Sequence, residues 1–85
     1  MTYHILIAED DQDIVELLRL YLENNHFHVL TAANGKEALE LLKQEKVDLL
    51  IVDIMMPKMN GYETIKAIRQ TSHLPILVLS AKSLD

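Results

Sequence analysis

The chain has 85 residues, of which 49% are hydrophobic, and a formal net charge of −5. This composition predicts one small globular domain and excludes a disordered segment, because disordered chains are poor in core-forming aliphatic residues. The 8 lysine and arginine residues are scattered and form no basic stripe, so no contact with nucleic acid is expected.

The first predicted elements are a buried strand and an amphipathic helix. Residues 5–8, Ile-Leu-Ile-Ala, are apolar at every position, which is typical of a strand covered on both faces. A helix is predicted over residues 12–24, with Asp11 as its N-cap. Its buried face is predicted from the three-and-four spacing of four residues, Ile14, Leu17, Leu18 and Tyr21.

A second strand and a second helix follow. Residues 27–32 alternate loosely between polar and apolar side chains, as expected of a strand near the edge of a sheet. Asn34 lies three residues before Glu37, which is the spacing of a helix cap and its reciprocal acid. A second helix is therefore predicted from this point to the charged residues 43–46.

The second half of the chain repeats the alternation. Residues 47–52 predict another strand covered on both faces, ending at Asp53, and Asn60-Gly61 marks the loop beyond it. A third helix is predicted over about 62–70 and a fourth strand over 76–79. The third helix is predicted to bury Ile65 together with either Ile68 or the stem of Arg69.

This order of elements predicts the fold class. Strands that alternate with helices across short loops form a parallel sheet with helices on both faces, because the crossovers are right-handed. The class is α/β, a doubly wound parallel sheet, in which ligands bind beyond the carboxyl ends of the strands. Polar residues follow three of the four predicted strands at that edge: Glu9, Asp10 and Asp11, then Asp53, then Ser80.

Acids at these strand ends indicate a metal site. Carboxylates that converge on one point raise each other's pKa unless a cation joins them. Oxygen ligands select a hard cation, and an open site completed by water favours Mg²⁺ over Ca²⁺. An aspartate beside Mg²⁺ can attack phosphorus, because the metal screens the repulsion between the carboxylate and the phosphoryl oxygens. A hydroxyl such as that of Ser80 could then donate a hydrogen bond to a phosphoryl oxygen.

Three stretches of the chain resemble the receiver domains of two-component response regulators. They are residues 5–11 (Ile-Leu-Ile-Ala-Glu-Asp-Asp), 52–61 (Val-Asp-Ile-Met-Met-Pro-Lys-Met-Asn-Gly) and 75–81 (Pro-Ile-Leu-Val-Leu-Ser-Ala). The resemblance covers the whole chain in register. It implies a flavodoxin-like receiver fold with strand order 2-1-3-4, and a signalling switch rather than a turnover enzyme.

The resemblance also implies a role for each candidate residue. Asp53 is the phosphoacceptor, and Glu9 and Asp10 are the acids that hold Mg²⁺ together with it. Met55 lends its backbone carbonyl to the metal, and Ser80 is the switch hydroxyl. Glu9 stands where aspartate is commoner in the family, which leaves both direct and water-mediated contact with the metal open.

The family continues beyond the elements predicted here. A fourth helix, a fifth strand and a fifth helix would follow, so residues 1–85 are expected to form a partial receiver domain with three βα units and strand 4. The fifth strand would carry the family's lysine, which pairs with the phosphoryl group, so weak phosphorylation is expected. Strand 4 and the uncovered sheet face are expected to promote self-association, because unpaired edges and large apolar patches associate.

The implied partners are a sensor histidine kinase and an output domain beyond Asp85, with a transcriptional regulator as the expected output. Two alternatives remain open. One is a receiver-like interaction or dimerisation module that is not productively phosphorylated. The other is a magnesium-dependent aspartyl phosphatase, although Met55 stands where that class usually has a second aspartate.

Two further observations concern location and a second metal. Cysteine is absent, and residues 1–4 lack the basic region of an export signal, so a cytoplasmic protein with no membrane segment is expected. His26 and His28 have the spacing at which a strand could present two imidazoles to a metal. No third ligand is evident from the sequence, and exposed histidines are the expected outcome.

Overall fold

A computed structural model describes residues 2–56 and 58–79 of the chain. Three helices alternate with four strands along these residues, as the sequence predicts. The predicted boundaries differ from the observed ones by at most two residues. The elements in chain order are β1 His4–Ala8, α1 Gln12–Asn24, β2 His28–Ala32, α2 Gly35–Gln44, β3 Leu49–Asp53, α3 Gly61–Arg69 and β4 Ile76–Leu79.

The four strands form one parallel sheet in the order β2-β1-β3-β4. This order confirms the one implied by the resemblance to receiver domains. β1 and β3 lie in the centre, and in each of them the last four residues are buried. Their apolar character at successive positions follows from this placement, because a central strand is covered on both faces.

Helices cover both faces of the sheet and divide the core into two layers. On one face, α1 packs on a layer that includes Ile5, Ile7 and Ile51. On the other face, α2 and α3 pack on a layer that includes Leu6 and Leu50, both fully buried. Alternate residues of each strand supply the two layers, so the sheet is a doubly wound one.

The buried face of α1 is not the predicted one. Val15 and Leu22 are buried. Of the four residues predicted to be buried, Ile14 and Leu18 are half-buried, whereas Leu17 and Tyr21 are 68% and 67% exposed. The prediction was wrong because this helix carries apolar residues nearly all round, and a shift by one residue turns the stripe by about 100°. Contact with the sheet selects the stripe, and the spacing of apolar residues alone does not.

Each helix begins at a side-chain cap. Asp11 and Asn34 accept backbone hydrogen bonds as predicted, at 3.0 and 2.9 Å. α3 starts one residue before the predicted position, because Asn60 is its N-cap and forms a complete capping box with Glu63. In this helix Ile68 is buried as predicted, Ile65 is only half-buried, and Thr64, which was not predicted to be buried, is fully enclosed. 

Among residues 2–56 and 58–79, every helix is too short or too polar to cross a bilayer.

Candidate metal centre

Three acidic side chains meet at the carboxyl edge of the sheet. Glu9 and Asp10 follow β1, and Asp53 is the last residue of β3. Ala8 and Val52 are register partners on these two adjacent strands, so the acids that follow them come to the same place. One carboxylate oxygen from each of Glu9, Asp10 and Asp53 lies within 4.8 Å of the others.

Two of these acids are enclosed by protein. Glu9 and Asp53 are each 2% exposed, whereas Asp10 is exposed. The Asp11 backbone N–H donates to Glu9 Oε2 at 3.0 Å, and the Met55 backbone N–H donates to Asp53 Oδ1 at 3.1 Å. Burial of two carboxylates side by side is unfavourable unless a cation or a proton neutralises part of the charge.

The protonation of Glu9 reflects this crowding. The pKa of its carboxyl group is raised from 4.5 to about 7, chiefly by burial and in smaller part by the negative charge of Asp53 and by side-chain hydrogen bonds to Asp53 and Asp10. The hydrogen bond from the Asp11 N–H opposes the shift. The cluster therefore holds a proton near neutral pH that a cation could replace.

The donor set fits a hard divalent cation. All three candidate ligands are carboxylate oxygens. Mg²⁺ and Ca²⁺ prefer oxygen ligands, whereas softer metals prefer nitrogen and sulfur ligands. The exposed Asp10 leaves one side of the cluster open to solvent. Mg²⁺ usually keeps several waters and binds through one or two carboxylates, so an open cluster of this kind suits it better than a caged Ca²⁺ site.

Gly61 brings the backbone of α3 against the backbone that follows Asp53. Its N–H donates to the Ile54 carbonyl oxygen at 3.1 Å. A Cβ atom added at Gly61 would lie 2.7 Å from Ile54 Cα and 2.9 Å from the Asp53 carbonyl carbon. From the sequence Gly61 is predicted only as a loop residue, and the Asn60-Gly61 pair is the available signal for a close approach of two backbone segments.

The remaining predicted residues have different outcomes. The Met55 side chain is 62% exposed, and the role of its carbonyl as a metal ligand stays a prediction. Met56, by contrast, is buried in the core. Ser80 lies outside the described residues. The chain just before it is placed beside the acids, because Leu79 is the register partner of Asp53 and its carbonyl accepts the Ile54 N–H at 3.2 Å.

Comparison with known proteins decides the family. The family model described as the response regulator receiver domain matches residues 5–85. The chain belongs to this family. The family assignment confirms the resemblance noted in the sequence, and the receiver fold accounts for the strand order and for the acids at one edge of the sheet.

Similar proteins agree with this assignment. The response regulator GtcR of Aneurinibacillus migulanus is 42% identical over 85 residues, which is 100% of this chain and 35% of that protein. The transcriptional regulatory protein CpxR of Escherichia coli K12 is 45% identical over 78 residues, which is 92% of this chain and 33% of that protein. The receiver chain thus spans about a third of the length of these curated relatives.

Solved receiver-fold structures superpose closely on the chain. The response regulator protein TrrA of Thermotoga maritima, in complex with Mg²⁺-BeF, gives a TM-score of 0.88 at 36% identity. The match covers 95% of this chain and 71% of TrrA.

Proposed function

We propose that the chain is the phosphoacceptor module of a two-component signalling system, with Asp53 as the residue that accepts the phosphoryl group. The observation that carries this proposal is the convergence of Asp53 with Glu9 and Asp10, at one edge of the sheet of a receiver-family chain. The module acts as a switch, and the proposed donor is the phosphohistidine of a sensor histidine kinase.

The proposed reaction forms one bond and breaks one. A carboxylate oxygen of Asp53 attacks the phosphorus of the phosphohistidine, forming an acyl phosphate. The phosphorus–nitrogen bond breaks, and its electron pair stays on the imidazole of the kinase. Burial of Asp53 next to the fixed N–H of Met55 holds the attacking carboxylate in one orientation.

Mg²⁺ is the proposed cofactor, with Glu9, Asp10, Asp53 and the backbone carbonyl of Met55 as its ligands. When bound, it supplies charge neutralisation between the carboxylates and the incoming phosphoryl group. The raised pKa of Glu9 supports this assignment, because a cluster that retains a proton is one that a cation can enter by displacing it. The Mg²⁺-BeF in the TrrA structure is in line with the same chemistry.

Ser80 is the proposed switch hydroxyl. It follows Leu79 directly in sequence, and Leu79 is the register partner of Asp53. A hydroxyl at this position would be within one residue of the carboxylate that carries the phosphoryl group. Its proposed task is to donate a hydrogen bond to a phosphoryl oxygen and so report phosphorylation to an output partner.

Acetyl phosphate tests the proposal without the cognate kinase. Incubation of the chain with acetyl phosphate and Mg²⁺ is expected to add one phosphoryl group, detected by intact-mass spectrometry and removed by hydroxylamine, which cleaves acyl phosphates. Addition to the 85-residue chain is expected to be slow, because the family's neutralising lysine lies on a fifth strand that is not among the strands of the described residues. Rapid stoichiometric addition would contradict the expected slow rate. Complete absence of addition would favour the alternative of an interaction module that is not phosphorylated.

The raised pKa of Glu9 predicts how Mg²⁺ binding depends on pH. The cation requires the ionised carboxylate, so Mg²⁺ affinity is expected to fall about tenfold between pH 8 and pH 6, as Glu9 takes up its proton.

The stability of the metal-free chain is expected to depend on pH in the opposite direction. The folded state binds more protons than the unfolded state between pH 4.5 and about 7, so unfolding free energy falls as pH rises through this window.

Calorimetric Mg²⁺ titration at several pH values checks this dependence, with Glu9→Gln as the comparison. The variant cannot titrate at this position and is expected to bind weakly at every pH, with a flatter profile. A wild-type affinity that is the same at pH 6 and pH 8 would contradict the competition between a proton and Mg²⁺ at Glu9.

The partners and assembly of the module are also proposals. We propose that residues 1–85 supply the first three βα units and fourth strand of a receiver domain, joined to an output domain that regulates transcription.

β4 is paired only with β3 among the described residues, and Leu77 and Val78 are 52% and 43% exposed. This edge is the proposed self-association surface of the 85-residue chain, and size-exclusion chromatography with light scattering tests it: a stable monomer would refute it.

A further inference from the structure

A group of polar side chains lies at the end of the sheet opposite the acidic cluster. His4 begins β1, His28 begins β2, and the two residues are register partners on adjacent strands. Their ring centroids are 4.9 Å apart, with an angle of 61° between the ring planes. Asp48 lies directly before β3, and its carboxylate is 3.7 Å from His4 Nδ1. Three neighbouring chain segments thus present two imidazoles and a carboxylate together.

The carboxylate of Asp48 is fixed and ionised. Its Oδ2 accepts the backbone N–H of His4 at 2.8 Å, its own backbone N–H donates to the His4 carbonyl at 2.7 Å, and Lys46 Nζ donates to its Oδ1 at 2.9 Å. The hydrogen bond from His4, and after it the one from Lys46, hold the pKa of Asp48 below its usual range. A negative charge therefore stands beside the His4 ring throughout the physiological pH range.

The distance between His4 and Asp48 suits a shared ion better than a hydrogen bond. At 3.7 Å the pair His4 Nδ1 and Asp48 Oδ2 is too far apart to be hydrogen bonded. His4 Nδ1 is also enclosed without a hydrogen-bond partner among the described residues. Two ligand atoms on one tetrahedral Zn²⁺, with bonds of about 2 Å, are roughly 3.3 Å apart, so a small adjustment would bring this pair onto one ion.

The arrangement of His28 allows it to complete the set. Two imidazoles that share one Zn²⁺ have their ring centres about 5 Å apart, since each nitrogen–metal bond is about 2 Å. The nitrogen lone pairs of the two imidazoles lie in their ring planes, so two stacked parallel rings cannot both point at one ion. The rings of His4 and His28 are not parallel, since the angle between their planes is 61°. Among residues 2–56 and 58–79, only the acidic cluster has three ligand atoms mutually within 4.8 Å, so His28 must turn, and its exposed side chain is free to do so.

We infer that His4, His28 and Asp48 form a second cation site, which takes Zn²⁺ with a water as the fourth ligand. Imidazole nitrogen is a good ligand for Zn²⁺ and a poor one for Mg²⁺, so this site and the acidic cluster select different metals. Bound Zn²⁺ joins β1, β2 and the residue before β3, and it stabilises the amino-terminal edge of the sheet. The site is independent of the proposed phosphoryl transfer.

A titration with zinc chloride in excess magnesium chloride tests the inference, since Mg²⁺ keeps the acidic cluster occupied. Imidazole nitrogen–proton correlation spectra of the 85-residue chain are expected to show shifts at His4 and His28 that saturate at one Zn²⁺ per chain. The exposed His73, which is before β4, is expected to stay unchanged. Shifts that are equal at all four histidines, or absent, would overturn the inference without bearing on phosphorylation.

Variants measured by calorimetry under the same conditions assign the ligands. His4→Asn and His28→Asn are each expected to lower Zn²⁺ affinity roughly tenfold or more, because loss of even an outer-shell partner costs that much. His26→Asn is the matched control: His26 has a backbone φ of 70°, which asparagine tolerates well, and its loss is expected to leave affinity unchanged. Equal effects of His26→Asn and His28→Asn, or wild-type affinity in the His4 variant, would refute this ligand set.

Discussion

A chain that carries Asp53→Asn is expected to take up no phosphoryl group from acetyl phosphate. Asparagine has nearly the same shape as aspartate, and its amide oxygen can still accept the Met55 N–H, so the loop is expected to keep its conformation. The amide, however, lacks the charge and the nucleophilicity of the carboxylate. The loss of phosphorylation should be complete, whereas the fold should persist.

At pH 8, where Glu9 is mainly ionised, the same substitution is expected to stabilise the metal-free folded chain by roughly 1 kcal/mol, because it removes one of two like charges buried side by side. Chemical denaturation with and without Mg²⁺ measures this gain. Asp13→Asn is the matched control, since Asp13 is an exposed acid of α1 that is outside the cluster. Phosphorylation of the Asp53 variant at the rate of this control would place the acceptor at another residue.

Replacement of Gly61 by alanine is the second change with a large expected effect. The new methyl group would collide with the Asp53 carbonyl group and with Ile54 Cα, 2.7 Å away. These are backbone atoms that cannot rotate aside, so either α3 or the strand end must move. We expect a loss of about 1–3 kcal/mol in unfolding free energy, the usual cost of overpacking, together with slower phosphorylation of Asp53.

Steric contact, and not backbone conformation, is the reason for this expectation. Gly61 does not have a positive φ, and alanine at the start of a helix is otherwise favourable. Tyr62→Ala is the control, because Tyr62 is the next residue of α3 and is 75% exposed. Urea denaturation and the acetyl phosphate assay compare the two variants. A Gly61→Ala chain as stable and as reactive as the control would disprove close packing at this point.

The strands and the acids at their ends could be predicted because both follow from one strong pattern. β1 and β3 are almost wholly apolar and stop abruptly at charged residues, so their burial and the edge at which the acids meet were evident from the sequence. The strand order was not contained in that pattern. It came from the resemblance to receiver domains, and pairing in the sheet confirms it.

The rotation of α1 and the start of α3 show where local patterns fail. In α1 several apolar stripes compete, and only contact with the sheet decides that Val15 and Leu22 are buried. For α3, Asn60-Gly61 is equally typical of a loop and of a helix start, and the bond to Glu63 decides between them. The place of Gly61 against Ile54 depends on a contact between separate elements, which no single stretch of sequence contains.

The length of β1 has an electrical consequence. His4, the first residue of β1, belongs to the histidine group, and Glu9, the residue directly after β1, belongs to the acidic cluster. The two residues are five positions apart, so about 16 Å separate them. Unit charges at that separation interact by roughly 1 kcal/mol at an effective dielectric constant of about 20, which suits protein sites, and this corresponds to less than one pKa unit. Loading or emptying one end of this strand therefore shifts the pKa values at the other end by less than one unit.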